Sequence, residues 1–277
     1  MSTTPIATLP AYLEEVLRIA HEFNEAAAPK RIDGPWFRGA SDRSNGLTPG
    51  AYWRTDLNET ELVVDFIDRA PPHLEARGTY QQAPSDTLWN WYFLMQHYGM
   101  PTRLLDWTEN ALTGLFFALS SEKAVNPCVW MLNPEKFNKS TTGDVCVISP
   151  GGKFSDHWLP IASEDQDVGC RPACPTSFDY KGQKHTNEKP LAIFAARRNA
   201  RVLVQQGTFT VHGTDRRSMH IMISEGDSST LRCILIERSA CKRLLKELEV
   251  CGIVDAWLFP ELERLAADIK RRHSISP

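Results

Sequence analysis

The stretch that most constrains how this chain can fold is Gln96 to Thr108, Gln-His-Tyr-Gly-Met-Pro-Thr-Arg-Leu-Leu-Asp-Trp-Thr. It reads as the tail of an aromatic-rich helix that stops at Gly99 and turns through Met100-Pro101. Glycine after a helical run, with proline two residues on, is a C-terminal signature. Asp106 followed by Glu109 has the spacing of a capping box, which predicts that a second helix opens at Asp106. The connection therefore packs a His, a Tyr, a Thr, an Arg and an Asp between two apolar helices, among Trp91, Trp107 and Phe116. Polar groups crowded into such a hinge either knit a core together or form a site.

Around this hinge the periodicity changes along the chain. Pro10 to Asn24 has Leu13, Val16, Leu17, Ala20 and Phe23 at helical spacing. After Gly34-Pro35, Trp36-Phe37-Arg38-Gly39 reads as a short strand with a charge in its middle. Asn58 and Glu61 form another capping box, opening a helix expected to run to Arg69 and end at Pro71-Pro72. The aromatic helix is expected from about Asp86 to Tyr98. Cys128–Leu132, Asp144–Ile148, Leu191–Phe194, Arg201–Val204, Thr208–Val211 and Leu231–Ile236 read as strands. Residues 151–190 are polar with little periodicity, as in a mobile insertion. Ser239 to Cys251 reads as an amphipathic helix, Trp257-Leu258-Phe259 as a strand or buried turn, and Pro260 as the first residue of a last helix. This order predicts an α+β fold: a single domain with a mixed or antiparallel sheet and packed helices. An N-terminal helix would occupy residues 1–30 and the main unit 31–272.

The chain has 277 residues, 42% of them hydrophobic, enough for a full core. A net charge of −3 gives no electrostatic case for nucleic-acid or membrane binding by the whole surface. Its apolar runs fall short of a membrane span, and the N-terminus lacks a basic segment followed by an apolar core, so a cytoplasmic protein is expected. Seven cysteines, with Cys128, Cys146, Cys233 and Cys251 placed singly in apolar runs, suit buried thiols in a reducing compartment. Cys170 and Cys174, flanked by His157 and His185, have an allowed zinc spacing but no second close pair, and no metal is expected.

Several strings resemble the bacterial FRG domain, named for the tripeptide seen here as Phe37-Arg38-Gly39. They are Trp36 to Gly39, His97 to Thr108, Gln205-Gln206-Gly207-Thr208-Phe209 and Leu258-Phe259-Pro260-Glu261-Leu262. The resemblance implies one unit from Trp36 to the last helix. An aromatic residue followed by Arg-Gly on an early strand is also similar to the first motif of arginine-type ADP-ribosyltransferases, in which that arginine holds the NAD phosphates. This second resemblance implies an ADP-ribosyltransferase-like fold and an NAD-using toxin or effector that modifies a protein or nucleic-acid target. Such enzymes carry a catalytic Glu on a late strand, whereas here that strand offers Gln205-Gln206-Gly207-Thr208.

The residue types support a matching set of expectations. Arg38 in an apolar strand needs a partner, either Asp106 in a structural pair or an anionic ligand held by its planar fork. Gly39 would let a ligand approach the backbone. Tyr98, Thr102 and Arg103 would join Arg38 in binding NAD, because a loop between rigid helices commonly carries binding groups. His97 and Gln206 are the candidate catalytic residues. The plainer reading is that His97 caps the end of its helix and that Gln206 and Asn199 satisfy backbone near strand ends. Asp106 is fully explained as an N-cap. Arg197, Arg198, Arg201, Arg216 and Arg217 are either a solvated face or a patch steering a phosphate-rich partner. The rival to an enzyme is a non-catalytic module that binds a nucleotide or a protein in the same cleft.

Overall fold

A computed structural model describes residues 4–25, 34–76, 87–121, 124–151, 154–160, 177–195 and 200–273. In chain order the first elements are α1 (Leu9–Glu25), β1 (Trp36–Ala40), α2 (Glu59–Ala76), α3 (Leu88–His97), β2 (Leu104–Thr108) and α4 (Ala111–Leu119). Then come β3 (Cys128–Leu132), α5 (Pro134–Thr142), β4 (Ser177–Tyr180), β5 (Gln183–Thr186) and β6 (Leu191–Phe194). The rest are α6 (Ala200–Val204), β7 (Gly207–Val211), α7 (Met219–Glu225), β8 (Leu231–Leu235), α8 (Cys241–Val250), α9 (Asp255–Leu258) and α10 (Leu262–Arg272). The fold is α+β. A 6-stranded sheet runs β6-β7-β2-β1-β3-β8 with every neighbouring pair antiparallel, and β4-β5 form a separate hairpin.

Strand alternation divides the sheet into two faces. On one face Phe37, Val129, Met131 and Ile234 pack against α1, α4 and α8. The same face further along carries Leu104, Phe209, Val211, Leu191 and Ile193, covered by α2 and α3. The opposite face presents Trp36, Leu105, Trp107, Trp130 and Cys233 to Leu47, Phe137 of α5 and Met219 and Ile223 of α7. Two helical groups thus share one face, and the seam between them falls over β2.

The main correction concerns β2. Residues 104–108 form a strand, not the first turn of a helix, because all five pair with β7, from Leu104↔Val211 to Thr108↔Gly207. Tertiary pairing outweighs the local cap signal. The N-cap of α4 is Asn110, whose side chain accepts from Leu112 N (2.9 Å) and Thr113 N (3.1 Å). The Asn58 cap holds, accepting from Glu61 N at 3.3 Å. Its helix, however, continues through Pro71 and Pro72, because Ala70 and Leu74 stay buried and packing holds the last turn.

Other elements depart from expectation for similar reasons. Residues 201–204 lie in α6, a short helix leading into β7, and Trp257-Leu258 lie in α9 with Trp257 exposed. Pro260 precedes α10, which begins at Leu262. Asp144–Ile148 contributes a single bridge, Ile148↔Ile193, instead of a strand. Cys146 is therefore exposed, as is Cys251 at the end of α8, while Cys128 and Cys233 are buried. Parts of 151–190 belong to the core: Trp158, Leu159 and Phe178 are buried beside α3. Asp86, Cys170, Cys174, Arg197, Arg198 and Asn199 lie outside the described residues. Among the described residues, no helix is long and apolar enough to cross a membrane.

Candidate functional site

The hinge between α3 and β2 closes as its sequence requires. Gly99 sits at φ +75°, and Tyr98, Gly99 and Met100 N–H groups return to Leu94, Gln96 and Met95 carbonyls. The Arg103 N–H then donates to the Tyr92 hydroxyl at 2.8 Å, fixing the start of β2 against α3.

Beside this hinge the sheet is split. β1 makes five paired positions with β3 but pairs with β2 only at Phe37↔Thr108. Beyond that position the two strands diverge, and Arg38 fills the opening. Its Nη1 donates to the Asp106 carbonyl at 2.7 Å and lies 3.9 Å from the Asp106 carboxylate. The Arg38 side chain is 28% exposed and that of Asp106 60% exposed, so the pair lies at the solvent edge of the split. Burial lowers the Arg38 pKa and the Asp106 carboxylate opposes the shift; an arginine keeps its charge throughout.

Asp106 is held from its other side. Gln96 Nε2 donates to the Asp106 carboxylate at 2.7 Å, Thr102 Oγ1 donates to Gln96 Oε1, and Leu104 N donates to Thr102 Oγ1 at 3.1 Å. A chain of hydrogen bonds thus runs from buried Thr102 to the exposed carboxylate and its arginine. Alternation sets Asp106 on the face of Leu104 and Arg38 on the face of Trp36 and Trp130, so the two opposite charges meet through the split and can be presented together to a ligand there. Asp106, read from sequence as a cap, is a member of this arrangement, and Gln96, which opens the hinge string, is the link that sequence reasoning passed over.

The other expected site residues divide. Gly39 has a packing role of its own. A Cβ there would lie 2.1 Å from the Gly114 carbonyl oxygen, so its smallness lets β1 press against α4. Arg103 is taken up internally: it is 8% exposed, its Nε and Nη2 reach Glu59 Oε2 at 2.6 and 2.5 Å, and Tyr52 lies 5.8 Å away. Glu59, at the start of α2, had no sequence signal linking it to Arg103 across so many residues.

Tyr98 is exposed beside the hinge with its ring 4.9 Å from that of His97. Burial, then Arg201, lowers the His97 pKa while Glu261 opposes, so His97 shares its surroundings with α6 and the approach to α10. Gln206 takes a left-handed conformation (φ 48°) between α6 and β7, and its carbonyl accepts from Glu109 N at 3.0 Å. That is the work of a turn residue.

The described members of the basic patch each have a partner. Arg217 pairs with Asp215 (2.7 Å) and Glu225 (2.8 Å), Arg216 lies 5.0 Å from Tyr52 and donates to the Arg54 carbonyl, and Arg201 stacks on Phe259. His157 and His185 both pack along Phe178. No group of three potential metal ligands occurs among the described residues.

No curated protein and no solved structure matches this chain. A family match is found over part of it, and it stops at Asn126, short of the Gln205–Phe209 and Leu258–Leu262 strings. The segment that contains β1, the α3–β2 hinge, α4 and with them the Arg38–Asp106–Gln96 arrangement, residues 34–126, matches the FRG domain.

Proposed function

We propose that the split between β1 and β2 binds a phosphate-bearing nucleotide, with NAD the first candidate and Arg38 the phosphate clamp. One observation carries this reading. Arg38 spends a single hydrogen bond on the Asp106 carbonyl, among the described residues, and leaves the rest of a five-donor fork at a solvent-reached opening. A purely structural arginine is expected to be enclosed as Arg103 is. Gln96 and Thr102 act as positioning residues, fixing Asp106 so that the arginine stays aimed at the opening.

A second reading, ADP-ribosyl transfer to a protein or nucleic-acid target, is favoured by the Asp106 carboxylate at the same split. A carboxylate there is suited to stabilise the positive charge that develops on the ribose as the bond to nicotinamide breaks and nicotinamide leaves. The ribose carbon then bonds to the target's nucleophile, whose proton passes to a base. His97, kept neutral by its lowered pKa, is the candidate for that base.

The test is calorimetric titration of NAD and ADP-ribose into wild type and Arg38→Lys, with thermal melts alongside. Lysine keeps the charge and loses the fork, so binding should weaken about tenfold or more at unchanged melting, a difference of about 1.4 kcal/mol. Absence of binding by wild type ends the nucleotide reading. Incubation with labelled NAD and a target mixture separates the two readings: bound nucleotide without transferred label identifies a binding module, and label lost in Asp106→Asn identifies a transferase.

A further inference from the structure

α10 faces the wrong way for a helix that only covers its own core. At 3.6 residues per turn its side chains fall on distinct surfaces. Towards the body lie Asp268, its buried member, and Arg264 and Arg271, which pair with Asp255 (3.5 Å), Glu249 (3.0 Å) and Asp268 (2.7 Å). Away from it lie Leu262, Leu265 and Ile269, 77%, 46% and 47% exposed, with Ala266 exposed among them. Spacing of i, i+3 and i+7 makes these one apolar stripe, which a surface helix ordinarily turns inward. Along one flank of the stripe stand Glu263 and Lys270, two turns apart. Neither has an ion-pair partner among the described residues, although the body-side charges of the same helix are paired.

We propose that α10 is a self-association surface, pairing antiparallel with α10 of a second copy of this chain about a twofold axis near Ala266. A twofold interface sets the same patch against itself. Antiparallel pairing brings Leu262 against Ile269 of the second copy and places the small Ala266 at the crossing, where the helices approach most closely. In antiparallel helices like flanks meet, so Glu263 faces Lys270 of the second copy and Lys270 faces its Glu263. Both unpaired charges are used twice over. A parallel pair would turn that flank towards the other side of the stripe and forfeit both contacts. A helix made for a lipid surface keeps Lys and Arg along its polar face for anionic headgroups, whereas Arg264 and Arg271 of α10 are taken by Asp255, Glu249 and Asp268 on the body side.

The experiment is sedimentation equilibrium of the full chain over micromolar to several hundred micromolar protein at low salt, with melts of each variant. Wild type should fit a monomer–dimer equilibrium. Leu265→Glu should remain monomeric throughout, with unchanged melting because Leu265 contributes little to the core. Glu263→Lys and Lys270→Glu should each weaken the dimer roughly tenfold, since attractive pairs become repulsive. The double exchange Glu263→Lys with Lys270→Glu should restore it. A wild type that is monomeric at every concentration overturns the proposal. So does a dimer indifferent to Leu265→Glu, or a double exchange no better than the single ones.

Discussion

Two arginines within reach of one hinge have opposite fates, and their partners explain why. Arg103 meets a carboxylate in a nearly closed space, where an unpaired charge would be costly, and becomes scaffold. Arg38 meets a backbone carbonyl at the mouth of a split sheet and keeps most of its donors. The glycine next to it serves packing. A methyl group at Gly39 would strike the α4 backbone at Gly114 and Ala118, so Gly39→Ala should cost roughly 1–3 kcal/mol, nearer the upper value, by urea denaturation. Unchanged stability with binding lost would instead make Gly39 a ligand contact.

Among the elements, β2 is the one whose nature had to be learned from its neighbours. Its residues carry a cap-like Asp106–Glu109 spacing, but their backbone groups are taken by β7 on one side, and the helix waits for Asn110. Stability should follow that assignment. Asn110→Ala should lose about 0.5–2 kcal/mol, the usual cost of an N-cap. Asp106→Ala removes no cap but does remove the acceptor of the Gln96 hydrogen bond, so it should lose about 0.5–1.5 kcal/mol, most of which Asp106→Asn should restore; the variants are compared by chemical denaturation. The same lesson applies to α6 and α9. Each is too short to carry a helical period in its sequence, and each is helical because of what surrounds it.

For the molecule as a whole, one buried histidine couples folding to pH. His212 follows β7, is fully buried, and has its pKa pushed down by burial to about 3. An unfolded histidine titrates near 6.5, so below that the unfolded chain takes a proton that the folded one refuses. The stabilisation is therefore complete above pH 6.5 and lost progressively as pH falls towards 3. Between about pH 7.5 and 5.5 the urea-derived stability should drop by roughly 1.4 kcal/mol from this group, and His212→Gln should flatten that slope. His97 and His220, also lowered chiefly by burial, act in the same direction. At this scale the share of each source of information is plain. The sequence by itself determined what depends on neighbours along the chain: the α+β class, α1, α3 and α8, the Gly99 turn, the strands β1, β3, β6 and most of β7 and β8, and Arg38 as a charge in need of a partner. Only the tertiary structure decided what depends on residues far apart in the chain. It paired 104–108 with β7, opened the sheet between β1 and β2, gave Arg103 to Glu59 and linked Gln96 to Asp106. Periodicity and capping spacing report short-range preferences of about a kcal/mol each, and a full set of strand hydrogen bonds with a shared apolar core outweighs them.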